Sequence, residues 1–598
     1  MRSLARLNFY YWRYKHLFIP GLLCAVASSA FAIIVPMVVR QAIDAIPRFV
    51  ATYNGFQGTE FETFLYGDFF LSLASYGGII ILLSLGSGIF SFLMRQTVVV
   101  ASRHIEFDLR NRLYEKLQAL SQDFYLKHPT GDIITRSTSD IEQVRRYIGP
   151  AIMYTTRALV IIVVAISVMF VISPKLTWYT LIPMPFLAIA VFLVAGMVHS
   201  RSDELQKQYS ILTSRVQEAV SGIRVLKAYV REGVEAEAFD RESSAYRAKS
   251  LDLALVEAAW RPVFLTLVGL STLIVVWVGG TLAIAGEITI GNIAEYIIYV
   301  AMMTWPVASM GFVITMVQRA AASMDRLNDI FDAEPSIVSP DEGLEGGLEG
   351  EISFENVSFT HPTSETKALD NVSFHVEAGQ TLAIVGRTGS GKTTLVELIP
   401  RLLDAGEGVV KIDGKDIRSI PLDTIRSGIG YVPQDVFLFS DTLAENISFG
   451  RLGAAQEEIE TAAQEADILE NIESFQEGFD TFVGERGITL SGGQKQRTSI
   501  ARALIRKPHI LILDDALSAV DVKTERTILS HLRKHFGKRT IVIVSHRISA
   551  VQEADRIIVL DNGQIIEQGN HDSLLKEDGF YASLFNKQQL EQELEELV

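Results

Sequence analysis

Apolar residues gather in six long runs before residue 320 and in short runs after it. The long runs are 17–39, 69–94, 158–172, 176–198, 263–285 and 293–317. Most reach the ~20 apolar residues that a bilayer-crossing helix needs. Run 158–172 becomes long enough if it starts near Gly149, with Arg157 turned to the bundle or a wet cavity. Three connections between runs are short (46–68, 173–175, 286–292), and their only basic residues are Arg48 and Lys175. The other two, 95–157 and 199–261, are long and rich in Lys and Arg. This asymmetry predicts a multi-pass protein of the cell (inner) membrane with both long segments and both termini in the cytoplasm. The basic, aromatic start, Met1 to Lys15, lacks a clear small-residue cleavage site, which points to a retained first span.

Helix-favouring residues fill 103–118 and 202–220 within the long connections. The membrane helices are therefore expected to continue as antiparallel hairpins, interrupted at His128–Gly131 and near Gly222. The last span carries Tyr296, Tyr299, Met302, Met303, Trp305, Met310, Phe312 and Met316. Helix packing or lipid contact is the expected role of each, ahead of an apolar wall for a transported molecule. Glu257 and Arg261, four apart, are expected to pair on one helix face.

At 333–350 the pattern collapses into AEPSIVSPDEGLEGGLEG, which suits an exposed linker. Short apolar strands then alternate with helical stretches, the mark of an α/β fold with a largely parallel sheet. The expected division is an all-α six-helix membrane domain (1–332), the linker (333–350), an α/β P-loop domain (351–587) and an acidic tail (588–598). The tail's LEQELEELV reads as a short helix against a second chain or as a solvated end.

Composition narrows the function. The 598 residues are 48% hydrophobic and 21% charged, with 54 Lys and Arg against 70 Asp and Glu, a net charge of −16. An acidic chain is a poor general binder of nucleic-acid phosphate, so no nucleic-acid partner is expected. The single cysteine, Cys24, forms neither an internal disulfide nor a cysteine metal site.

The sharpest chemistry lies in Gly386-Arg387-Thr388-Gly389-Ser390-Gly391-Lys392-Thr393-Thr394, which follows the apolar strand 381–385 and precedes a helical pattern. That is the setting of a P-loop. Its glycines let backbone N–H groups curl around phosphate, Lys392 reaches the β and γ phosphates, and Thr393 holds Mg2+. Downstream, the apolar run 510–513 delivers Asp514, a second Mg2+ ligand, and Asp515 follows, placed to orient an attacking water. Between them, Leu490-Ser491-Gly492-Gly493-Gln494 offers a second anion cradle at a helix start.

The P-loop, Gln434, Leu490–Gln494, Asp514, Asp521 and His546 follow one another in an order that closely resembles an ATP-binding-cassette (ABC) exporter half-transporter. The likeness covers nearly the whole chain and includes FYLKHPTGDIITRSTSD at 124–140. It looks most like the multidrug-resistance-like bacterial half-transporters that work as heterodimers. The resemblance implies ATP and Mg2+ as ligands. It gives Gln434 a contact to Mg2+ and to the membrane domain, and gives Ser491–Gln494 the γ-phosphate of ATP on the other subunit. His546 becomes the γ-phosphate switch, and 518–521 the loop joining the two ATP sites. TFVGERG at 481–487 would face coupling helices near 121–128 and 222–231.

Two positions depart from the family pattern. Asp515 stands where the family has Glu, and His361 where it has an adenine-stacking Tyr, with Phe359 as the alternative adenine contact. One methylene shortens the reach of Asp515, and a misplacement of about 1 Å costs ~100-fold in rate. The expectation is an ATP-driven exporter half for amphipathic, drug-like, lipid or peptide molecules. Its own site cleaves ATP weakly, and it pairs with a second half-transporter that carries the usual Glu. A homodimeric lipid or peptide exporter and an ATP-gated channel of the same architecture remain alternatives, as does import. The six apolar runs nearly exclude a soluble ABC ATPase.

Overall fold

The computed structural model describes residues 3–340, 347–362, 364–484, 487, 489–533 and 538–596. Two compact units emerge: 1–118 with 131–332, and 119–130 with 333–598.

The first unit holds six apolar helices, Lys15–Phe56, Phe61–Ala119, Thr130–Ile172, Pro174–Ser221, Glu232–Ile284 and Ile290–Asp332, of 42 to 59 residues. At 1.5 Å per residue they run about 60–90 Å, well beyond the ~30 Å hydrocarbon core, so the hairpins follow from length alone. The connection expected over 46–68 is mostly helix: the first helix ends at Phe56 and the second begins at Phe61. Glu62 closes this turn by accepting from Tyr53 Oη and from the Gly58 N–H, at 2.5 and 3.0 Å.

Both expected hairpin breaks occur, each with an unforeseen companion. A break at Leu120–Ser121 sets off the short helix α1, Gln122–Lys127. Helix α2, Ile223–Ala228, ends in Tyr229–Arg231, where Val230 adopts a left-handed φ of 53°. Segment 119–130 packs with the second unit although the sequence groups it with the membrane helices. The reason is polar. Ser121 Oγ accepts the Ile337 N–H at 3.0 Å, Ser336 Oγ donates to Asp123 at 3.0 Å, and Gln122 donates to Glu397 at 3.4 Å.

Tyr296 and Tyr299 are fully buried. Tyr296 Oη donates to Met169 O at 2.6 Å and Tyr299 Oη to Ile33 O at 3.2 Å, so both tie helices together. Met303 is buried with them, while Trp305, Met310 and Phe312 stay exposed. Glu257 and Arg261 form no ion pair among the described residues. A buried carboxylate on the last helix, Glu295, pairs instead with Arg40 at 3.2 Å.

In the second unit, β1 (Ile352–Thr360), β2 (Lys367–Val376), β4 (Glu407–Ile412) and β5 (Lys415–Asp416) form one antiparallel sheet in the order β2-β1-β4-β5. The second sheet contains β3 (Thr381–Gly386), β6 (Ile429–Val432), β7 (Ile510–Asp514), β8 (Thr540–Val544), β9 (Arg556–Asp561) and β10 (Gln564–Gly569). Its order is β10-β9-β3-β8-β7-β6, parallel except at β10. Strands β3, β7 and β8 are buried along their whole length, which is why they read as unbroken apolar runs. Because β3, β8 and β7 are neighbours and parallel, their carboxyl ends bring Gly386, Ser545–His546 and Asp514 to one rim. Ligands of open α/β sheets bind at such a rim.

Candidate functional site

The loop after β3 needs its glycines. Gly386, Gly389 and Gly391 have φ of 156°, 81° and 99°. A Cβ on Gly386 would lie 2.1 Å from Leu560 O, and one on Gly391 2.3 Å from Ala368 O. The loop therefore takes its tight course only with glycine at these positions, and it leads into α3, Lys392–Leu398. Lys392 Nζ bridges the loop, donating to Gly386 O at 3.0 Å and Arg387 O at 2.8 Å.

A cleft of about 280 Å³ opens here, lined by His361, Thr388, Gly389, Gly391, Lys392, Thr393, Thr394, Gln434, Asp514, Asp515 and His546, with Ala368 and Val544. Gly386, Arg387 and Ser390 belong to the same loop but do not line the cleft. Ser491, Gly492, Gly493 and Gln494 lie outside it, at the start of α4, Gly492–Leu504. His361 faces the cleft with Nε2 3.0 Å from Thr394 Oγ1. Phe359, the alternative aromatic, is 7% exposed and packs in the core.

Burial sets the charges. It pushes the Asp514 carboxyl up to about 6, reinforced by the carboxylates of Glu397 and Asp515 and opposed by a Thr393 hydrogen bond and the Lys392 charge. Burial lowers Lys392, against the pull of Asp514 and Asp515. It also lowers His546, helped by the nearby Lys392 charge. Asp515 sits in the left-handed region at φ 47°, a conformation that Asp tolerates better than most residues. Its N–H donates to Val544 O at 3.0 Å and its carbonyl accepts from Ser518 Oγ at 2.9 Å.

The residues present fit Mg2+ with a nucleotide phosphate. Among the described residues, buried Asp514 Oδ2 and Ser390 Oγ have no hydrogen-bond partner. A hydroxyl (Thr393), an amide (Gln434) and a carboxylate (Asp514) are the hard oxygen donors that Mg2+ takes alongside phosphate and water. No cluster of three acidic, His or Cys groups exists among the described residues, and a phosphate-borne Mg2+ needs none.

Sequence reasoning missed two polar links. Glu397, on α3, is raised by burial and receives the Gln122 bond from α1. Gln496 ties the start of α4 to the Asp515 loop, accepting the Ala519 N–H at 2.9 Å and donating to Ser518 Oγ at 3.1 Å. No local pattern marks Glu397. Gln496 has a faint signal, a buried amide two residues past an anion cradle. Asp521 accepts the N–H groups of Lys523 and Thr524 and starts the helix that follows. Glu485 and Arg486 of 481–487 lie outside the described residues, as does 341–346 of the linker.

Family models described as the ABC transporter transmembrane region and the ABC transporter match residues 17–307 and 369–518. A Bacillus subtilis protein named probable multidrug resistance ABC transporter ATP-binding/permease protein YheI is 39% identical over 519 residues, 87% of this chain and 89% of its own. The Escherichia coli multidrug resistance-like ATP-binding protein MdlA is 34% identical over 597 residues, spanning 100% of this chain and 98% of its own. Among solved structures, a bacterial Atm1-family ABC exporter with ATP bound is 26% identical. It covers 96% of this chain and 99% of its own, with a TM-score of 0.76. A membrane unit of six apolar helices and a P-loop unit thus recur together along almost the full length of these relatives, and the chain belongs to the ABC transporter family as an exporter with both domains on one polypeptide.

Proposed function

We propose that this chain is the slow-cleaving half of a heterodimeric exporter of amphipathic, drug-like molecules, seated in the inner membrane with both termini in the cytoplasm. One observation carries the reading: the residue after Asp514 that lines the cleft is Asp515, a carboxylate one methylene shorter than the family's Glu. The P-loop amides and Lys392 bind and orient the phosphates. Thr393, Gln434 and Asp514 would hold Mg2+, which would supply positive charge to offset that of the phosphates. Asp515 orients water at the γ-phosphate, and His546 contacts that phosphate. The shorter reach of Asp515 leaves the water poorly aligned, so ATP is held and cleaved slowly.

Two further features support a partner subunit, and a third fits the cargo. Ser491–Gln494 lie outside this chain's own cleft, free to reach ATP on another subunit. Helix α2 and its turn leave Ile223, Val225, Tyr229 and Val230 exposed, an apolar tip suited to a protein surface. Trp305, Met310 and Phe312 are exposed on the last membrane helix, as an apolar cargo would require. The multidrug-resistance names of relatives in two bacteria agree with such a cargo.

The deciding experiment measures ATPase rate in lipid vesicles for the chain alone and with candidate partner subunits, before and after Asp515→Glu. Slow turnover alone, rising about 10- to 100-fold with Glu, is expected. Full transporter turnover by the isolated chain, with no gain from Asp515→Glu, would overturn the reading.

A further inference from the structure

We infer that Gln588, on the C-terminal helix Phe580–Glu596 (α5), is a positioning residue for His546 and sets how well the cleft distinguishes ATP from ADP. The inference rests on His546 as the γ-phosphate contact. The Gln588 amide spans the backbone on either side of Arg547. Its Oε1 accepts the Ile548 N–H at 2.8 Å and its Nε2 donates to His546 O at 2.7 Å. Together these bonds fix the two peptide groups that flank Arg547, much as a neighbouring strand would. Among the described residues, the His546 ring itself makes no hydrogen bond. Its aim into the cleft is therefore set by its backbone, which Gln588 and Ser545 Oγ hold from two sides.

The opposite side of the loop is already pinned. The Arg547 N–H donates to Ser545 Oγ at 3.0 Å, and the Arg547 guanidinium pairs with the buried Glu525 and donates to Val520 O at 3.1 Å. The α5 side of the grip comes from the C-terminal helix, whose first turns pack into the core. Helix α5 is itself anchored. Glu567 accepts the N–H groups of Phe580 and Tyr581, and the buried Tyr581 Oη lies 2.8 Å from His571 Nδ1. The Arg387 guanidinium lies over the Phe580 ring, 5.6 Å from its centre, so the same helix touches the P-loop. One helix thus meets both loops that enclose the phosphates, and a shift of α5 would turn His546.

The test measures ATP and ADP affinity of the full-length chain in lipid nanodiscs, with melting curves as a folding control. Gln588→Met keeps side-chain length and loses both hydrogen bonds. It is expected to weaken ATP binding roughly 3- to 10-fold while leaving ADP binding unchanged. Gln588→Glu keeps the bond from Ile548 but sets a carboxylate oxygen against His546 O, so a loss of ATP affinity at least as large as with Met is expected. Adding Gln588→Met to His546→Ala should cost nothing beyond His546→Ala alone, since both act through one contact. Equal loss of ATP and ADP affinity, or no loss of either, overturns the inference while leaving the His546 reading intact. If His546→Ala leaves the ATP-to-ADP ratio untouched, the His546 reading falls, and this inference with it.

Discussion

Within the nucleotide-binding unit, the phosphate cleft and the Ser491–Gln494 turn are built on opposite lines. The cleft is enclosed: Lys392 is 7% and Asp514 1% exposed, and burial displaces the protonation of both. The turn is open and already satisfied. Ser491 Oγ accepts the Gln494 N–H at 3.3 Å, and Gln494 Oε1 accepts the Ser491 N–H at 2.9 Å, a capping box that starts α4. A buried region with displaced charges gains when phosphate and metal arrive. An exposed turn whose polar groups already cap their own helix has no displaced charge for a ligand to relieve. The two are joined through Gln496, which ties the start of α4 to the Asp515 loop.

The largest effects should separate the two. Lys392→Ala removes a desolvated cation from the phosphates and should cost about 100-fold or more in ATP affinity of the isolated chain. Ser491→Arg should leave that affinity unchanged, yet lower the ATPase rate of the assembled dimer more than about 10-fold by blocking the other site. Nucleotide binding and ATPase assays on the same preparations check both. A loss of ATP affinity with Ser491→Arg in the isolated chain would place both regions on one site and break the contrast.

Stability gives a smaller, pH-dependent contrast. Because burial lifts the Asp514 carboxyl to about 6, holding it ionised costs the folded, nucleotide-free unit on the order of 3 kcal/mol. A raised carboxyl favours the protonated folded state. The cost is therefore full above about pH 6 and fades as pH falls toward about 4. Asp514→Asn should raise the nucleotide-free melting temperature by several degrees near pH 7.5 and by about a third as much near pH 4.5, while Mg-ATP ceases to stabilise. Ser491→Ala should lower stability by about 1 kcal/mol at either pH, since it removes only a helix cap. Calorimetry across pH reads both signs.

What the sequence showed in advance follows the range of the interactions. The six spans and the P-loop are carried by residues adjacent in the chain, so period and spacing reveal them. Asp515 and His361 stood out because the family pattern fixes what to expect there. The breaks at Leu120–Ser121 and Tyr229–Arg231 lack proline or glycine. The first depends on partners at Ser336 and Ile337, more than two hundred residues away. Gln496, Gln588 and Glu397 act through contacts that folding alone creates, and nothing beside them in the chain announces it. The first connection was drawn too long at 46–68 for the converse reason: 46–56 and 61–68 are helical, and the Tyr53 and Glu62 contacts that close the short turn between them bring together residues from both helices.

The smallest expected effect concerns His361. Its ring meets Phe359 edge-on, with centres 5.0 Å apart, and Phe359 is held in the core, so His361 is the aromatic residue of this strand end that reaches the cleft. Stacking of an aromatic ring on a base is worth about 0.5–1.5 kcal/mol. His361→Ala should therefore weaken ATP about 2- to 10-fold, and His361→Tyr should restore or slightly exceed the original affinity. Inorganic tripolyphosphate has no base, so its affinity should not move in either variant. That ligand separates two roles, because His361 also lies within hydrogen-bond reach of Thr394 on the P-loop. If tripolyphosphate weakens together with ATP, His361 acts by holding the loop. The ring then belongs with Lys392 among the groups that shape the phosphate cradle, and base recognition lies elsewhere in the cleft.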